Sequence, residues 1–587
     1  MKRLPPYPCL LWSLVFLGSF LFFELNYRYW YRFMEQYSLF LYRWDYFADL
    51  CVQVGGFNAW VTAWVTQFFQ LPCFAPLCLA GLLTLPGVLF SLLLKRSFNE
   101  SSLRAPLLSL CPWFLFWLYP VESIAFLLAL TAGLGSACLY TRVRKAPLRY
   151  LAGFALITLL YPLAAPAHLA AAAGILLYEC IRAARGGGDK AGLWGLGLCL
   201  WALVLPLAAM RTVYVVPLRE AFLSKHLFHP EYPLPASLWY VATSFLAVAG
   251  LAYVFRRRQA RPREKPACIS LLVAGMILGV VFGRHPLEQA YRYDWLARQG
   301  AWERIARDAL EHPVKDKDAL VYANLAHAYC RSYNEALLQL PQIGEEGFIP
   351  RDPKTRLGLI QAAEVSWLLN HTNSAQRFAF VGVLSSERNV QPRLMRRLIE
   401  TYLVNEEYKA AEKYIRILEK SALYRREMQK LRPLLDPETA SQTEWITQRR
   451  RLNPTTDNPY DPTKSFPSAL AFLLDDHPDN PAAFAYGMGY LLLYKELHAF
   501  MHYMEERKGT DEKLPTLYQE AICIYYTAVE NNPEAFRSYA VDPDVYQRYR
   551  EYLQQSGSLS PTLLRRRYGD AYYYYAQFVP TPEKPAS

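Results

Sequence analysis

The chain has 587 residues, 53% hydrophobic and only 19% charged, against a usual charged share of about 25%. Residues 1–285 hold 25 Lys/Arg against 11 Asp/Glu and the remainder 38 against 40, so the net charge of +12 belongs to the first half. That half is also the apolar one, which excludes a soluble single domain and a disordered chain, and charge set between apolar runs argues against a nucleic-acid partner.

Nine apolar runs predict transmembrane helices at about 8–23, 73–94, 104–119, 121–140, 149–163, 165–181, 191–209, 237–255 and 267–283. The first follows Lys2 and Arg3 like a signal peptide. Phe22, Phe23 and Glu24 are wrong for a cleavage site, so it reads as an uncleaved anchor. Eighteen of the 25 basic residues fall in segments 2–3, 95–104, 142–149, 182–190 and 256–265, which nine spans place on one side. Excess Lys/Arg marks the cytoplasmic face, so the N-terminus is expected inside and the C-terminal half outside. Segment 49–70 is moderately apolar, and counting it as a span would break this sidedness. It is expected instead as an amphipathic helix on the outer interface, within an aromatic-rich external loop over 24–72. Nine of the eleven cysteines precede residue 285, mostly inside apolar runs, and read as small core residues. Cys51 and Cys73 share the external loop, where a disulfide is open to them.

From residue 284 the sequence turns charged and helix-forming. Leu398, Tyr402, Ala411, Ile415 and Leu418 take the packing positions of a tetratricopeptide-like helix pair broken at Asn405-Glu406. Similar pairs are expected around Gln299-Gly300 and within 482–507. The division is therefore a polytopic membrane domain over 1–283, helical repeats over 284–451, a proline-punctuated junction over 452–466, a second helical subdomain over 467–579 and a disordered tail over 580–587. The fold class is all-α, a transmembrane bundle followed by an α-solenoid. Asn373, Gln376 and Arg377 are expected to fix one helix pair, and Tyr572–Tyr575 to be a packed stripe.

Soluble-enzyme motifs are absent: no Walker loop, GxSxG, HExxH or GxGxxG occurs. The sharpest polar cluster lies in the first external loop: Glu24, Glu35, Gln36, Arg43, Asp45 and Asp49. Carboxylates just outside a membrane can act as a general base or hold a divalent cation beside a lipid-linked phosphate; a solvated loop with ordinary charges is the plainer reading. Glu122, in the turn Tyr119-Pro120-Val121-Glu122, and His168, after Pro162 and Pro166, fall on the same side. So does the segment 210–236, with Arg211, Arg219, Lys225, His226 and His229. Span interiors nearly lack charge, Glu179 lying toward a span end, and this speaks against an ion-coupled transporter.

Several segments resemble a bacterial family of multi-pass membrane proteins of unknown function with tetratricopeptide-like C-terminal regions. They are Glu35-Gln36 with Leu39-Phe40, Asp45-Tyr46-Phe47, Gly55-Gly56 with Gln67-Phe68-Phe69, Tyr293-Asp294-Trp295-Leu296, Asn324-Leu325-Ala326, Ala375-Gln376-Arg377-Phe378-Ala379-Phe380 and Gly569-Asp570-Ala571-Tyr572. The layout is also similar to the GT-C class of integral-membrane glycosyltransferases. These have an inside N-terminus, a long first external loop bearing the catalytic acid, and often a soluble C-terminal domain. The resemblance implies a polyprenyl-phosphate-linked sugar donor and Asp45 or Glu35 in catalysis. Gln36, Arg43, Asp49, Glu122 and His168 would surround the substrate, with Arg211 and Arg219 on the donor phosphate. The C-terminal repeats would bind an envelope protein or glycan acceptor. The alternative is a non-catalytic, membrane-anchored scaffold for envelope partners.

Overall fold

The computed structural model describes residues 7–37, 39–98, 124–184, 191–225, 270, 273–279, 281, 283, 285–386, 390–505, 508–509, 513–532 and 534–583. Helix accounts for 75% of the structure, and no strand occurs among the described residues. The chain divides into one unit of residues 1–288 with 420–423, and a second of residues 289–419 with 424–587.

In the first unit the long helices are α1 (Tyr7–Asn26), α5 (Phe74–Phe98), α6 (Ile124–Tyr140), α7 (Ala146–Ala164), α8 (Ala167–Ala183) and α9 (Ala191–Thr212). Between α1 and α5 lie α2 (Arg28–Met34), α3 (Trp44–Cys51) and α4 (Gly56–Thr66), and after α9 comes the short α10 (Leu218–Leu223). Four described stretches are long and apolar enough to cross a membrane: Cys9–Asn26, Phe74–Phe98, Ala146–Ala164 and Gly192–Thr212. Ile124–Tyr140 is apolar but shorter. The expected runs 104–119 and 237–255 lie outside the described residues, as does much of 267–283.

Contacts between helices show their directions, and at several of them a missing side chain lets a neighbour close in. Gly87 faces Trp12 and Gly81 faces Phe16, so α1 and α5 run antiparallel. Gly133 meets Ala170 and Gly174 meets Ala137, so α6 and α8 run parallel. Tyr150 stacks on Trp194 at 4.9 Å and Phe154 on Trp201 at 4.8 Å, so α7 and α9 run parallel. Arg96 donates to the Cys138 carbonyl at 2.7 Å, which brings the C-terminal ends of α5 and α6 together. One end of the bundle therefore gathers Lys95, Arg96, Arg142, Arg144, Lys145, Arg149 and Arg182. The opposite end carries the loop between α1 and α5.

Two helices, not one, occupy the expected amphipathic segment 49–70, followed by a 3-10 turn at Gln67–Gln70. The break is steric: Gly55 sits at φ +68°, and a Cβ on Gly56 would lie 1.7 Å from the Leu50 carbonyl oxygen. Asn58, Ala59, Ala63 and Thr66 of α4 are buried, and Asn58 donates to the Ala125 carbonyl at 2.7 Å. Cys51 and Cys73 are both free thiols, so the disulfide open to them is not formed.

The second unit is built from helix pairs. Glu288–Arg298 and Trp302–Glu311 meet at Gly300, Pro392–Val404 and Tyr408–Leu418 at Glu406, and Pro481–Leu493 and Leu497–Met504 at Lys495. Gly300, Glu406 and Lys495 all have positive φ, which ends the first helix of each pair. Leu398, Ala411, Ile415 and Leu418 are buried, and Tyr402 stacks on Tyr414. Asn405 donates to Gln376 at 2.9 Å and Arg377 to Asp461 at 2.9 Å, so these side chains fix one pair to its neighbour and to the 452–466 loop. Beneath them runs a buried charge network: Arg393 pairs with Asp294 and Glu364, Arg397 with Glu364 and Glu400, and Tyr322 donates to Asp294. Burial works against ionising Glu364, but Arg397 and Arg393 outweigh it and hold that carboxyl at about 2. Residues 580–583 are irregular but not loose, since Pro582 lies against the Gly344 turn; the rest of the expected tail, 584–587, lies outside the described residues.

Tyr572, Tyr573 and Tyr575 are buried, and the Tyr572 N–H donates to Glu520 at 2.7 Å. Burial pushes the Glu520 carboxyl up to about 7, with Asp570 adding to the shift and the Tyr572 N–H and Arg548 opposing it. The folded state thus holds a proton that the unfolded chain releases near 4.5, and stability falls as pH rises through that window. Glu520→Gln keeps an acceptor for Tyr572 and never ionises. It is expected to stabilise the second unit by up to about 3 kcal/mol at pH 8 and by less than about 1 kcal/mol at pH 5. Urea unfolding of the full chain at both pH values, with exchange of the Tyr572 amide as local probe, measures this.

Candidate functional site

The loop end of the first unit is assembled from three connections. Val54, in the α3–α4 turn, packs with Tyr161 in the last turn of α7, with Ala165 of the α7–α8 turn and with Ala209 near the end of α9, and Tyr214 and Val216 cover the cluster. Ser224, just after α10, donates to the Val54 carbonyl at 2.7 Å. A Cβ on Gly55 would come within 3.1 Å of the Ala165 backbone, so glycine there serves the close approach as well as the turn. The first loop, the turn bearing His168 and the segment bearing Arg211 and Arg219 therefore share one end of the bundle.

His168 begins α8 and is 0% exposed. Among the described residues neither ring nitrogen has a hydrogen-bond partner, and the adjacent Tyr161 hydroxyl has none either. The two rings sit edge to face at 5.1 Å. A neutral imidazole always carries one N–H donor and one acceptor nitrogen. Leaving such groups buried and unpaired costs about 1–3 kcal/mol each. Its sequence signal is slight: a histidine and a Tyr-Pro pair flanking one turn.

The carboxylates fall into two environments. Glu35 lies in the 3-10 turn after α2, is 1% exposed and accepts from Gln36 Nε2 at 2.7 Å. Asp45, at the start of α3, is exposed; it pairs with Arg43 and accepts from the Tyr46 N–H at 2.9 Å. Asp49 is exposed on the same helix. Arg211 and Arg219 are exposed in the last turn of α9 and on α10. Glu122, His226 and His229 lie outside the described residues. Glu24 at the end of α1 forms an ion pair with Arg28 and accepts weakly from the Cys73 thiol at 3.8 Å. Among the described residues no three His, Cys, Asp or Glu side chains gather as a metal ion requires.

Residues far apart in sequence lock this loop in place, and sequence reasoning did not pick them out. The Glu288 carboxylate accepts from the Tyr29 and Trp30 N–H groups at 2.7 and 3.1 Å, placing an anion on the N-terminus of α2. His285 stacks on Trp30 at 4.8 Å, and burial pushes its imidazole down to about 4, so it stays neutral at physiological pH.

At the opposite end Glu179 is fully buried and accepts from Arg149 Nε at 2.8 Å and from the Tyr140 hydroxyl at 2.9 Å. This trio ties α6, α7 and α8 together and takes no part in the loop end. No curated protein and no solved structure matches the chain. The model of the family of unknown function DUF6057 matches residues 2–579, and the chain belongs to that family.

Proposed function

We propose that the chain is a GT-C-like glycosyltransferase of the bacterial inner membrane, taking a polyprenyl-phosphate-linked sugar and acting in envelope glycan assembly. The observation that carries the reading is the shared loop end: a folded first loop with carboxylates, the unpaired His168–Tyr161 couple, and Arg211 and Arg219 on the adjoining segment. Their chemistry complements a phosphorylated polyol. In this reading Asp45, being accessible, takes the acceptor proton, and Glu35 with Gln36 shapes the loop or holds a sugar hydroxyl. His168 and Tyr161 supply hydrogen bonds to the sugar ring, and Arg211 and Arg219 meet the donor phosphate. The nine-span topology, the cytoplasmic N-terminus, the α3–α4 segment on the outer interface and a tetratricopeptide-like solenoid holding the acceptor belong to the same proposal.

One observation favours the scaffold reading instead. The second unit carries an open recess of about 400 Å³ lined by Asn373, Gln376, Arg377, Phe380, Tyr402 and Asn405, whose amides and aromatic rings suit a peptide or glycan. The deciding experiment is the lipid-linked sugar and envelope glycan profile of a deletion strain complemented with wild type, Glu35→Gln or Asp45→Asn. Loss of a glycan restored by wild type but not by Asp45→Asn is the expected result. Restoration by both variants would leave the scaffold, and no glycan change on deletion would remove the enzyme reading.

A further inference from the structure

The end of the bundle away from the loop carries a second feature, independent of any catalysis. Between α7 and α9 lies an outward-facing recess of about 780 Å³, lined by Pro147, Tyr150, Phe154, Trp194, Gly197 and Trp201 among others. Its walls are paired aromatic rings. Tyr150 stacks on Trp194 with an interplanar angle of 16°, and Phe154 on Trp201 with 29°. Trp201 is pinned further by its indole N–H, which donates to the Thr158 hydroxyl at 3.0 Å. Gly197 keeps the groove open, since a Cβ there would meet no atom within 4 Å.

Arg142, Arg144 and Lys145 stand immediately before the residues that form the groove's rim at Ala146 and Pro147. All three are exposed, and among the described residues no carboxylate pairs with them. Arg149, next in line, is consumed by Glu179. An apolar channel with aromatic walls, ending at exposed cations, is complementary to a molecule with hydrocarbon tails and a negatively charged head. Tyrosine and tryptophan belong at that boundary, because their rings are apolar and their tips polar. Basic pockets between membrane helices bind anionic head groups for the same reason.

We infer that this groove is a binding site for an anionic phospholipid of the bilayer, with acyl chain along Tyr150, Phe154, Trp194 and Trp201 and phosphate at Arg144 and Lys145. The charge at this end is then more than a topology signal, since it holds a lipid against α7 and α9.

The test uses the full chain, purified in detergent, stripped of lipid and offered equimolar phosphatidylglycerol and phosphatidylcholine, with retained lipid counted by native mass spectrometry. Wild type is expected to keep phosphatidylglycerol preferentially. Arg144→Gln with Lys145→Gln should weaken retention by about 30-fold, at about fivefold for each cation. Gly197→Phe fills the groove without a backbone clash and should abolish retention, while Gly197→Ala should not. Equal retention of both lipids by wild type, or undiminished retention by Gly197→Phe, would overturn the site. If undecaprenyl phosphate displaced phosphatidylglycerol at equal concentration, the groove would be a polyprenyl site and the phospholipid assignment wrong. None of these readouts depends on the loop end, so failure here and failure of the transferase reading are separable.

Discussion

Arg149→Met is expected to destabilise the first unit by about 3–5 kcal/mol, the usual cost of stranding one partner of a buried ion pair. Arg149 and Glu179 are 2% and 0% exposed, and their contact at 2.8 Å lies at the junction of three helices. Tyr140 donates to the same Glu179 oxygen, and Arg182 approaches the other only at 3.9 Å. Removing the guanidinium leaves a carboxylate with one hydroxyl and a distant cation. Arg149→Met combined with Glu179→Leu should recover most of the loss, because two apolar groups leave no stranded charge. Glu179→Gln should fall between, since an amide still accepts from Tyr140. SDS-titrated unfolding of the full chain in lipid discs, followed by tryptophan fluorescence, gives the three values, and adding Glu179→Leu alone closes the cycle for the coupling between sites. If the double variant proved as unstable as Arg149→Met alone, the pair would not be the source of the effect.

That pair also marks where the sequence stops being legible. The apolar runs locate helices well: the run 8–23 becomes Tyr7–Asn26, 73–94 becomes Phe74–Phe98 and 149–163 becomes Ala146–Ala164. Local hydrophobicity and chain breakers act within a turn or two, so Gly300 and Asn405-Glu406 could be read as breaks directly. Pairing across 30 residues leaves no local trace. Arg149 looked like one more basic flank and Glu179 like a span-end acid, yet they satisfy each other in the core. The same limit applies to the first loop. Glu35 and Asp45 are equivalent carboxylates on paper, but one is buried beside Gln36 and the other is exposed beside Arg43. The amphipathic pattern over 49–70 looks like one helix because periodicity carries no information on what a Cβ on Gly56 would strike. What could be read of the candidate site was its sidedness, which came from the distribution of Lys/Arg and not from any motif.

His168→Leu is expected to raise stability while removing function. The imidazole is buried, its two nitrogens have no partner among the described residues, and an apolar side chain of similar size deletes both. The gain should be about 1–3 kcal/mol if the site stays empty, because the penalty of unpaired polar atoms vanishes. Tyr161→Phe should act in the same direction through its unpaired hydroxyl, and the two gains should not add fully, since the rings touch. A chain that keeps such groups at a cost is spending stability on something other than folding, the usual signature of a binding or reacting site. The paired measurement is therefore unfolding stability against restoration of the envelope glycan in the deletion strain. Higher stability with lost complementation makes His168 a ligand-facing group of the loop end. Higher stability with full complementation makes it a tolerated core histidine and shifts the proposed site to Asp45 and Arg43. A clear loss of stability would mean that the ring is satisfied in the folded protein, and the argument from its missing partners would fail.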